Sequence, residues 1–171
     1  INQALIHAGA ELDVGIDINW LDAKLFEKDP NSVEILRNYS GIIVPGGFGD
    51  SGVEGKIMAV KFARENNIPY LGLCYGMQLA VVEFARDVCH LEAHSTEIIP
   101  EAKDPVINIQ SSQKKFLEQS DYGGTMRLGA YAAMLKKDTK VCDLYEKTGR
   151  MKDDQKLLKE LMKDKNQKFR I

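Results

Sequence analysis

The chain has 171 residues, a formal net charge of −2, and 44% hydrophobic and 28% charged residues, which is ordinary for one globular domain. The near-neutral charge gives no electrostatic reason to expect nucleic acid or a membrane surface as a partner, and no apolar run approaches the roughly 20 residues of a membrane span. Three widely spaced cysteines without a CxxC pair favour free thiols over disulfides or a metal site. We therefore expect a soluble, cytoplasmic domain without bound metal.

The first part of the sequence predicts a helix, a strand and a second helix. Residues 1–8 have helical spacing, and Gly9 is placed to end that helix. Residues 12–18 alternate between apolar and other side chains, which is typical of a strand. Residues 32–39 predict a short helix with Ser32 as its N-cap.

Two strand-to-helix units follow. Residues 41–44 are an apolar, β-branched run, and helical spacing follows over residues 54–66. Residues 68–73 predict the next strand, and residues 76–88 predict the next helix. Successive units of this kind imply right-handed crossovers. The predicted fold class is therefore α/β, an open, mostly parallel, flavodoxin-like sheet with helices on both faces.

The rest of the chain has weaker patterns. Residues 105–109 and 126–131 predict further strands, and residues 151–171 predict a basic amphipathic helix that is an insertion or a tail. That helix either binds a partner or is merely solvated, and we favour the second interpretation. We take residues 1–171 as a single domain. Because the sequence starts within a helix and stops without a terminating signal, we expect it to be an incomplete piece of a larger protein.

The segment Gly72-Leu73-Cys74-Tyr75-Gly76 carries the clearest chemical signal. Strand, Gly-x-Cys-x-Gly, helix is the thiol version of the G-x-S-x-G nucleophile elbow, in which flanking glycines permit a sharp turn. The turn presents Cys74 at the carboxyl end of the sheet and at a helix N-terminus, which favours the thiolate. The alternative is a buried structural cysteine, as we read Cys89 and Cys142.

A second glycine-rich loop favours the nucleophile interpretation. Pro45-Gly46-Gly47-Phe48-Gly49 ends the neighbouring predicted strand without a side chain that would block a substrate carbonyl. Acyl transfer needs two N–H donors for the developing oxyanion. We expect these donors to be the backbone N–H groups of Gly47 and Tyr75.

Several motifs are similar to one family. The stretch Cys-Tyr-Gly-Met-Gln at 74–78 resembles the class I (triad) glutamine amidotransferases, including the GMP synthetase type. Other stretches resemble, within that family, the glutaminase domains of CTP synthases, and the likeness extends over about residues 1–131. These stretches are residues 4–9, 44–49, 52–56, 63–69, 95–97 and 123–129.

This resemblance implies a reaction and its site. Cys74 would attack the side-chain carboxamide of L-glutamine and form a thioester, Gly47 and Tyr75 would form the oxyanion hole, and Glu97 would hold the α-ammonium. Phe48 would contact GTP as an allosteric activator. The residues that would line the glutamine pocket are Tyr75, Gly76, Met77 and Gln78.

The resemblance also implies partners outside this domain. Ammonia would pass to an N-terminal synthetase domain of the same chain, a ligase that uses ATP and Mg to convert UTP to CTP. The domain itself would need no cofactor, and the protein would be a homotetramer.

The sequence departs from the family pattern in its proton-transfer residues. The family has an arginine at the position of Ser51, and a late His-Pro-Glu that supplies the general base is absent here. The His-x-Glu at His90 lies about 20 Å along the predicted helix from Cys74, too far to act as the base. His94, beside Glu97, is a weaker candidate. Two explanations remain. Either the general base belongs to a part of a longer protein that is missing from this sequence, with Arg150-Met151 as the place where residues are inserted or lost, or the chain is an inactive relative that regulates a partner. We favour the first explanation.

Overall fold

The computed structural model describes residues 1–109 and 135–161. The chain divides into two compact units, residues 1–115 and 116–171, which are described separately. In the first unit the helices are α1 (Asn2–Leu12), α2 (Lys24–Lys28), a 3-10 helix (Pro30–Asn38), α3 (Val53–Glu65) and α4 (Tyr75–Asp87). Its strands are β1 (Ile42–Val44), β2 (Tyr70–Gly72), β3 (Ala93–Ser95) and β4 (Asp104–Ile107). The second unit contains α5 (Lys140–Lys147) and α6 (Arg150–Leu161).

The described strands pair in parallel. β1 pairs with β2, with Ile42 opposite Tyr70, and β3 pairs with β4, with Ala93 opposite Asp104. Helix α3 connects β1 to β2, so these elements form a parallel βαβ unit with α4 following directly. The predicted α/β class with parallel strands and helices is confirmed. The described strands nevertheless form two two-stranded sheets rather than one continuous sheet.

Helix α3 lies at the centre of the first unit because both of its faces are apolar. One face packs on α4 through a cluster of buried side chains: Val53, Ile57, Tyr75, Leu79 and Val82. The other face packs on α2 and the 3-10 helix through Phe26, Leu36, Ala59 and Phe62. An ion pair adds to the first contact, since Nη2 of the partly exposed Arg64 of α3 lies 2.7 Å from Oε1 of Glu83, which is 1% exposed on α4. These contacts fix α4, which begins at Tyr75, against α3.

The predicted strand over residues 12–18 is wrong. Helix α1 continues past Gly9 to Leu12, and Asp13 ends it in the left-handed conformation with φ of 53°. The N–H of Val14 then bonds the carbonyl of Gly9 at 2.9 Å, and the following residues have no strand partner in the described chain. Alternation alone does not make a strand, because a strand also needs a neighbour to satisfy its backbone groups.

The predicted Ser32 cap is also wrong. The segment is a 3-10 helix that begins at Pro30, and the carboxylate of Asp29 accepts a hydrogen bond from the N–H of Asn31 at 3.0 Å. Proline suits the first position because its missing N–H would have no partner there. The hydroxyl of Ser32 instead donates to the Asp29 carbonyl at 2.6 Å.

The elements around the elbow were predicted to within about two residues, as is usual for element ends. Residues 105–109 correspond to β4, and the start of the predicted 151–171 helix corresponds to α6. The predicted strand over 126–131 and the end of the tail lie outside the described residues. None of the described helices combines the length and apolarity needed to cross a membrane.

Candidate functional site

The turn at Cys74 is closed so tightly that two of its positions accept only glycine. A Cβ added at Gly76 would lie 2.1 Å from the carbonyl oxygen of Val44, and one at Gly72 would lie 2.5 Å from the backbone nitrogen of Met77. Cys74 is the N-cap of α4, with φ of 52° and ψ of −101°, an unusual conformation for a residue with a side chain. Its thiol is exposed. The alternative of a buried structural cysteine is therefore wrong for Cys74. It is also wrong for Cys89, which is exposed, whereas Cys142 is buried as predicted.

The glycine loop of residues 45–49 lies beside this thiol. The N–H of Leu73 donates to the carbonyl of Val44 at 2.9 Å, which holds the end of β2 against the end of β1. Consequently, a Cβ added at Gly46 would be 3.6 Å from the Cβ of Cys74. Among the described residues, the backbone N–H groups of Gly47 and Tyr75 have no hydrogen-bond acceptor. Acyl transfer needs donors of this kind for the oxyanion that forms when a carbonyl is attacked.

Glu97 reaches the same loop from the second sheet. It follows β3, where the N–H of Thr96 donates to the Ile107 carbonyl at 2.9 Å and the N–H of Glu97 donates to Ser95 Oγ at 3.2 Å. The Glu97 carboxylate accepts a hydrogen bond from the N–H of Gly49 at 2.9 Å. The structure therefore brings Glu97, predicted from the resemblance, to the loop that flanks Cys74.

The side chain of Tyr75 is buried, with only 2% exposed, although the residue directly follows the exposed Cys74. Its hydroxyl donates to the carbonyl of Gly49. Burial, with smaller contributions from the negative charges of Glu97 and Asp50, raises the pKa of Tyr75 to about 12. The hydroxyl therefore remains a donor at neutral pH. Any ligand contact of Tyr75 would come from its backbone, because its ring packs inside the protein.

The other predicted pocket residues differ in accessibility. Met77 and Phe48 are 54% and 51% exposed, and Gln78 is half-buried. Gly76 is buried against β1, so it supports the turn and offers no side chain to a ligand. Sequence reasoning missed the hydrogen bond between the Tyr75 hydroxyl and Gly49. The last glycine of the Gly-Gly-Phe-Gly run was the one signal in the sequence that could have indicated it.

Both ring nitrogens of His94 have partners other than Cys74. Its Nδ1 accepts a hydrogen bond from the N–H of Ser95 at 2.8 Å, and its Nε2 lies 3.6 Å from Glu54. Arg86, which bonds the same Glu54 carboxylate at 2.8 Å, is 11 residues beyond Tyr75, about 17 Å along α4. Burial and the charge of Arg86 lower the pKa of His94, against an opposing effect of Glu54. The geometry does not support His94 as the base for Cys74.

An exposed thiol on a strand–turn–helix elbow lies beside a glycine loop that a carboxylate contacts, and two backbone N–H groups there have no acceptor within residues 1–109 and 135–161. Such a site is suited to acyl transfer from an amide. The sequence profile of the family described as glutamine amidotransferase class-I matches residues 1–166. The chain belongs to the class I glutamine amidotransferase family.

The relatives it resembles are CTP synthases. The CTP synthase of Nautilia profundicola is 51% identical over 154 residues, which cover 84% of this chain and 28% of that protein. The CTP synthase of Methanocaldococcus jannaschii is 52% identical over 152 residues, which cover 85% of this chain and 27% of that protein. The resemblance predicted from the motifs is confirmed, and the chain spans little more than a quarter of the length of these relatives.

A solved structure shares both fold and sequence with this chain. The glutaminase domain of Trypanosoma brucei CTPS with bound acivicin matches with a TM-score of 0.61 and 38% identity. The match covers 65% of this chain and 43% of that chain. The predicted amidotransferase-like fold is therefore confirmed by a structure as well as by sequence.

Proposed function

We propose that this chain is the glutaminase part of a CTP synthase and that Cys74 is its nucleophile. The observation that carries the proposal is the exposed Cys74 thiol at the N-cap of α4, beside the glycine loop. A cysteine at a helix N-terminus is placed where the unpaired N–H groups favour the thiolate. The match to a glutaminase domain with bound acivicin supports a ligand site of this kind.

The proposed reaction begins with attack of the Cys74 thiolate on the side-chain carboxamide carbon of L-glutamine. A C–S bond forms, and the carbonyl π electrons move onto oxygen, which the N–H groups of Gly47 and Tyr75 stabilise. Collapse of this intermediate breaks the C–N bond, and the departing nitrogen leaves as ammonia after protonation by a general acid. Water then hydrolyses the γ-glutamyl thioester to glutamate and restores the thiol.

Glutamine would be oriented by Glu97. One carboxylate oxygen of Glu97 accepts the Gly49 N–H, which leaves the second oxygen for a ligand ammonium. A charge-assisted bond of this kind fixes the α-amino end of the substrate. The exposed Met77 and the half-buried Gln78, on the first turn of α4, would flank the substrate chain.

The remaining assignments concern the whole protein. We place an N-terminal synthetase domain in the same chain, where ATP, Mg and UTP would bind and ammonia would be consumed to make CTP. The identity to CTP synthases, over about a quarter of their length, supports this arrangement. GTP would act as allosteric activator at Phe48, whose ring is half-exposed on the glycine loop. A cytoplasmic homotetramer without a cofactor in this domain completes the proposal.

The test compares two nitrogen sources in the protein that carries this chain. With Cys74→Ala, glutamine-dependent CTP formation should be lost, since removing the nucleophile of such a site costs about 10⁴-fold or more. CTP formation from ammonium chloride should persist, because free ammonia bypasses Cys74. Cys89→Ala, which changes another exposed thiol, should leave both activities intact.

Three results would contradict the proposal. Glutamine-dependent CTP formation by Cys74→Ala would exclude Cys74 as nucleophile. Amination of XMP instead of UTP would indicate the GMP synthetase type. Failure of the wild-type protein to release ammonia from glutamine would favour the inactive regulatory relative.

A further inference from the structure

The backbone N–H and the backbone carbonyl of Gly49 are each bonded by a side chain, and the two side chains come from different elements. The hydroxyl of Tyr75, the first residue of α4, donates to the Gly49 carbonyl. The carboxylate of Glu97, which follows β3, accepts from the Gly49 N–H at 2.9 Å. We call this pair of contacts the Gly49 clamp. The Gly49 clamp links Tyr75, which follows the nucleophile Cys74 in the sequence, to Glu97, which follows the second sheet's strand β3. The link runs through the backbone of Gly49 in the glycine loop.

The loop has few other restraints of its own. Gly46, Gly47 and Gly49 lack side chains, and glycine leaves the backbone more conformational freedom than any other residue. Phe48, which stands between Gly47 and Gly49, is 51% exposed and so does little to order this part of the loop. The direction of the Gly47 N–H therefore depends on contacts made to its neighbours.

The ring of Tyr75 lies next to the glycine loop. A Cβ added at Gly47 would be 3.6 Å from Tyr75 Cδ1, so the ring lies directly beside this position of the loop. Lys56 Nζ lies 5.6 Å from the ring centroid and donates to the carbonyl of Ser51 at 2.7 Å. The ring thus contacts both the loop and the lysine that holds the residues following it.

We propose that the Gly49 clamp positions the oxyanion site, with the Tyr75 hydroxyl and the Glu97 carboxylate as positioning groups that act through Gly49 on the Gly47 N–H. This inference rests on the proposed glutaminase function. Glu97 then has two tasks, since one oxygen orders the loop and the other receives the substrate ammonium. The raised pKa of Tyr75 is consistent with this role, because the hydroxyl stays protonated and able to donate.

The test uses covalent modification of Cys74 by 6-diazo-5-oxo-norleucine, whose ketone oxygen takes the place of the carboxamide oxygen. Saturation kinetics separate the maximal rate of inactivation from the half-saturating concentration of the reagent. Removal of one oxyanion donor lowers a catalytic rate about 10²–10³-fold. In Tyr75→Phe the Gly47 N–H would be less well oriented rather than lost, so the maximal rate of inactivation should fall about tenfold. The half-saturating concentration should not change. Both reagents form a thioether at the carbon beside a carbonyl, the diazoketone with loss of N₂ and iodoacetamide with loss of iodide. Iodoacetamide lacks the glutamine chain that would place its carbonyl at the oxyanion donors, so it should alkylate Cys74 equally in both proteins.

Tyr70→Phe is the matched control. Its hydroxyl donates to the carbonyl of Gly76 at 2.8 Å, so this variant also removes a tyrosine-to-backbone bond at the elbow but leaves Gly49 untouched. Its inactivation kinetics should equal those of the wild-type protein. Glu97→Gln and Glu97→Ala extend the test, because glutamine keeps an acceptor for the Gly49 N–H and alanine does not. Both should bind the reagent more weakly, and only alanine should also lower the maximal rate.

The outcomes separate the two proposals. Wild-type kinetics for Tyr75→Phe, or a change confined to the half-saturating concentration, would overturn the clamp. A Tyr75→Phe protein that shows no cooperative unfolding transition in a thermal melt is not folded. In that case, equal maximal rates of inactivation for Glu97→Gln and Glu97→Ala would overturn the clamp. Failure of the reagent to modify wild-type Cys74 would contradict the proposed glutaminase function itself.

Discussion

The Gly76→Ala variant tests whether the elbow depends on close backbone contact. The added methyl carbon would lie 2.1 Å from the carbonyl oxygen of Val44 and 2.8 Å from its carbonyl carbon. Observed Cβ contacts are essentially never shorter than 3.0 Å, so the two backbones must separate by about 1 Å. The same carbonyl accepts the N–H of Leu73, so the shift strains the bond that joins elbow and glycine loop.

Two magnitudes follow. Overpacking costs typically 1–3 kcal/mol, and because both partners here are backbone we expect about 3 kcal/mol of lost stability. Misplacement of reacting groups by about 1 Å lowers a rate about 100-fold, which we expect for modification of Cys74 by 6-diazo-5-oxo-norleucine. Urea unfolding and saturation kinetics of inactivation measure these effects.

Gly15→Ala is the control, since a Cβ added there meets nothing within 4 Å. It should be as stable as the wild-type protein and react at the same rate. A Gly76→Ala protein with wild-type stability and reactivity would refute the steric argument. A stable protein with slow inactivation would instead show that the strain falls mainly on the site.

Two further predictions concern the first unit. Arg64→Ala leaves the buried Glu83 without its ion-pair partner. The free energy of unfolding, measured with urea, should fall by about 3 kcal/mol, and the reactivity of Cys74 should not change. An unchanged midpoint of urea unfolding would contradict this prediction. Because the folded pKa of His94 is lowered from its ordinary 6.5, the unfolded chain takes up the proton first, so stability should fall as pH drops below about 6.5. This loss of stability should level off below the pKa that His94 has in the folded protein. The loss should be smaller in His94→Gln. Equal pH dependence of stability in His94→Gln and the wild-type protein would contradict the prediction.

The elbow could be predicted from the sequence because its requirements are local. Glycines flanking Cys74 between an apolar run and a helical pattern admit few conformations, and the structure shows the short contacts at Gly72 and Gly76 that demand them. The parallel β1–β2 pair was predictable for a similar reason, since each strand is followed by a helix. Glu97 was found through the family resemblance, since its spacing alone indicates no site.

The rest depends on contacts between distant segments. The strand predicted over residues 12–18 has the right alternation but no pairing neighbour in the part of the chain that the structure describes, and the sequence does not reveal this. The buried Glu83 looks like a solvated charge until Arg64 is placed beside it. The Gly49 clamp likewise joins residues separated by 26 and 48 positions, so no local pattern indicates it.

The most direct test of the central claim is the site of modification by 6-diazo-5-oxo-norleucine, mapped by mass spectrometry with and without L-glutamine. Cys74 and Cys89 are both exposed, so a nonspecific electrophile such as iodoacetamide should reach both. A glutamine-shaped electrophile should modify Cys74 alone, and glutamine should protect it. Equal modification of the two thiols, or an adduct on Cys74 that glutamine does not suppress, would contradict a glutamine site at the elbow.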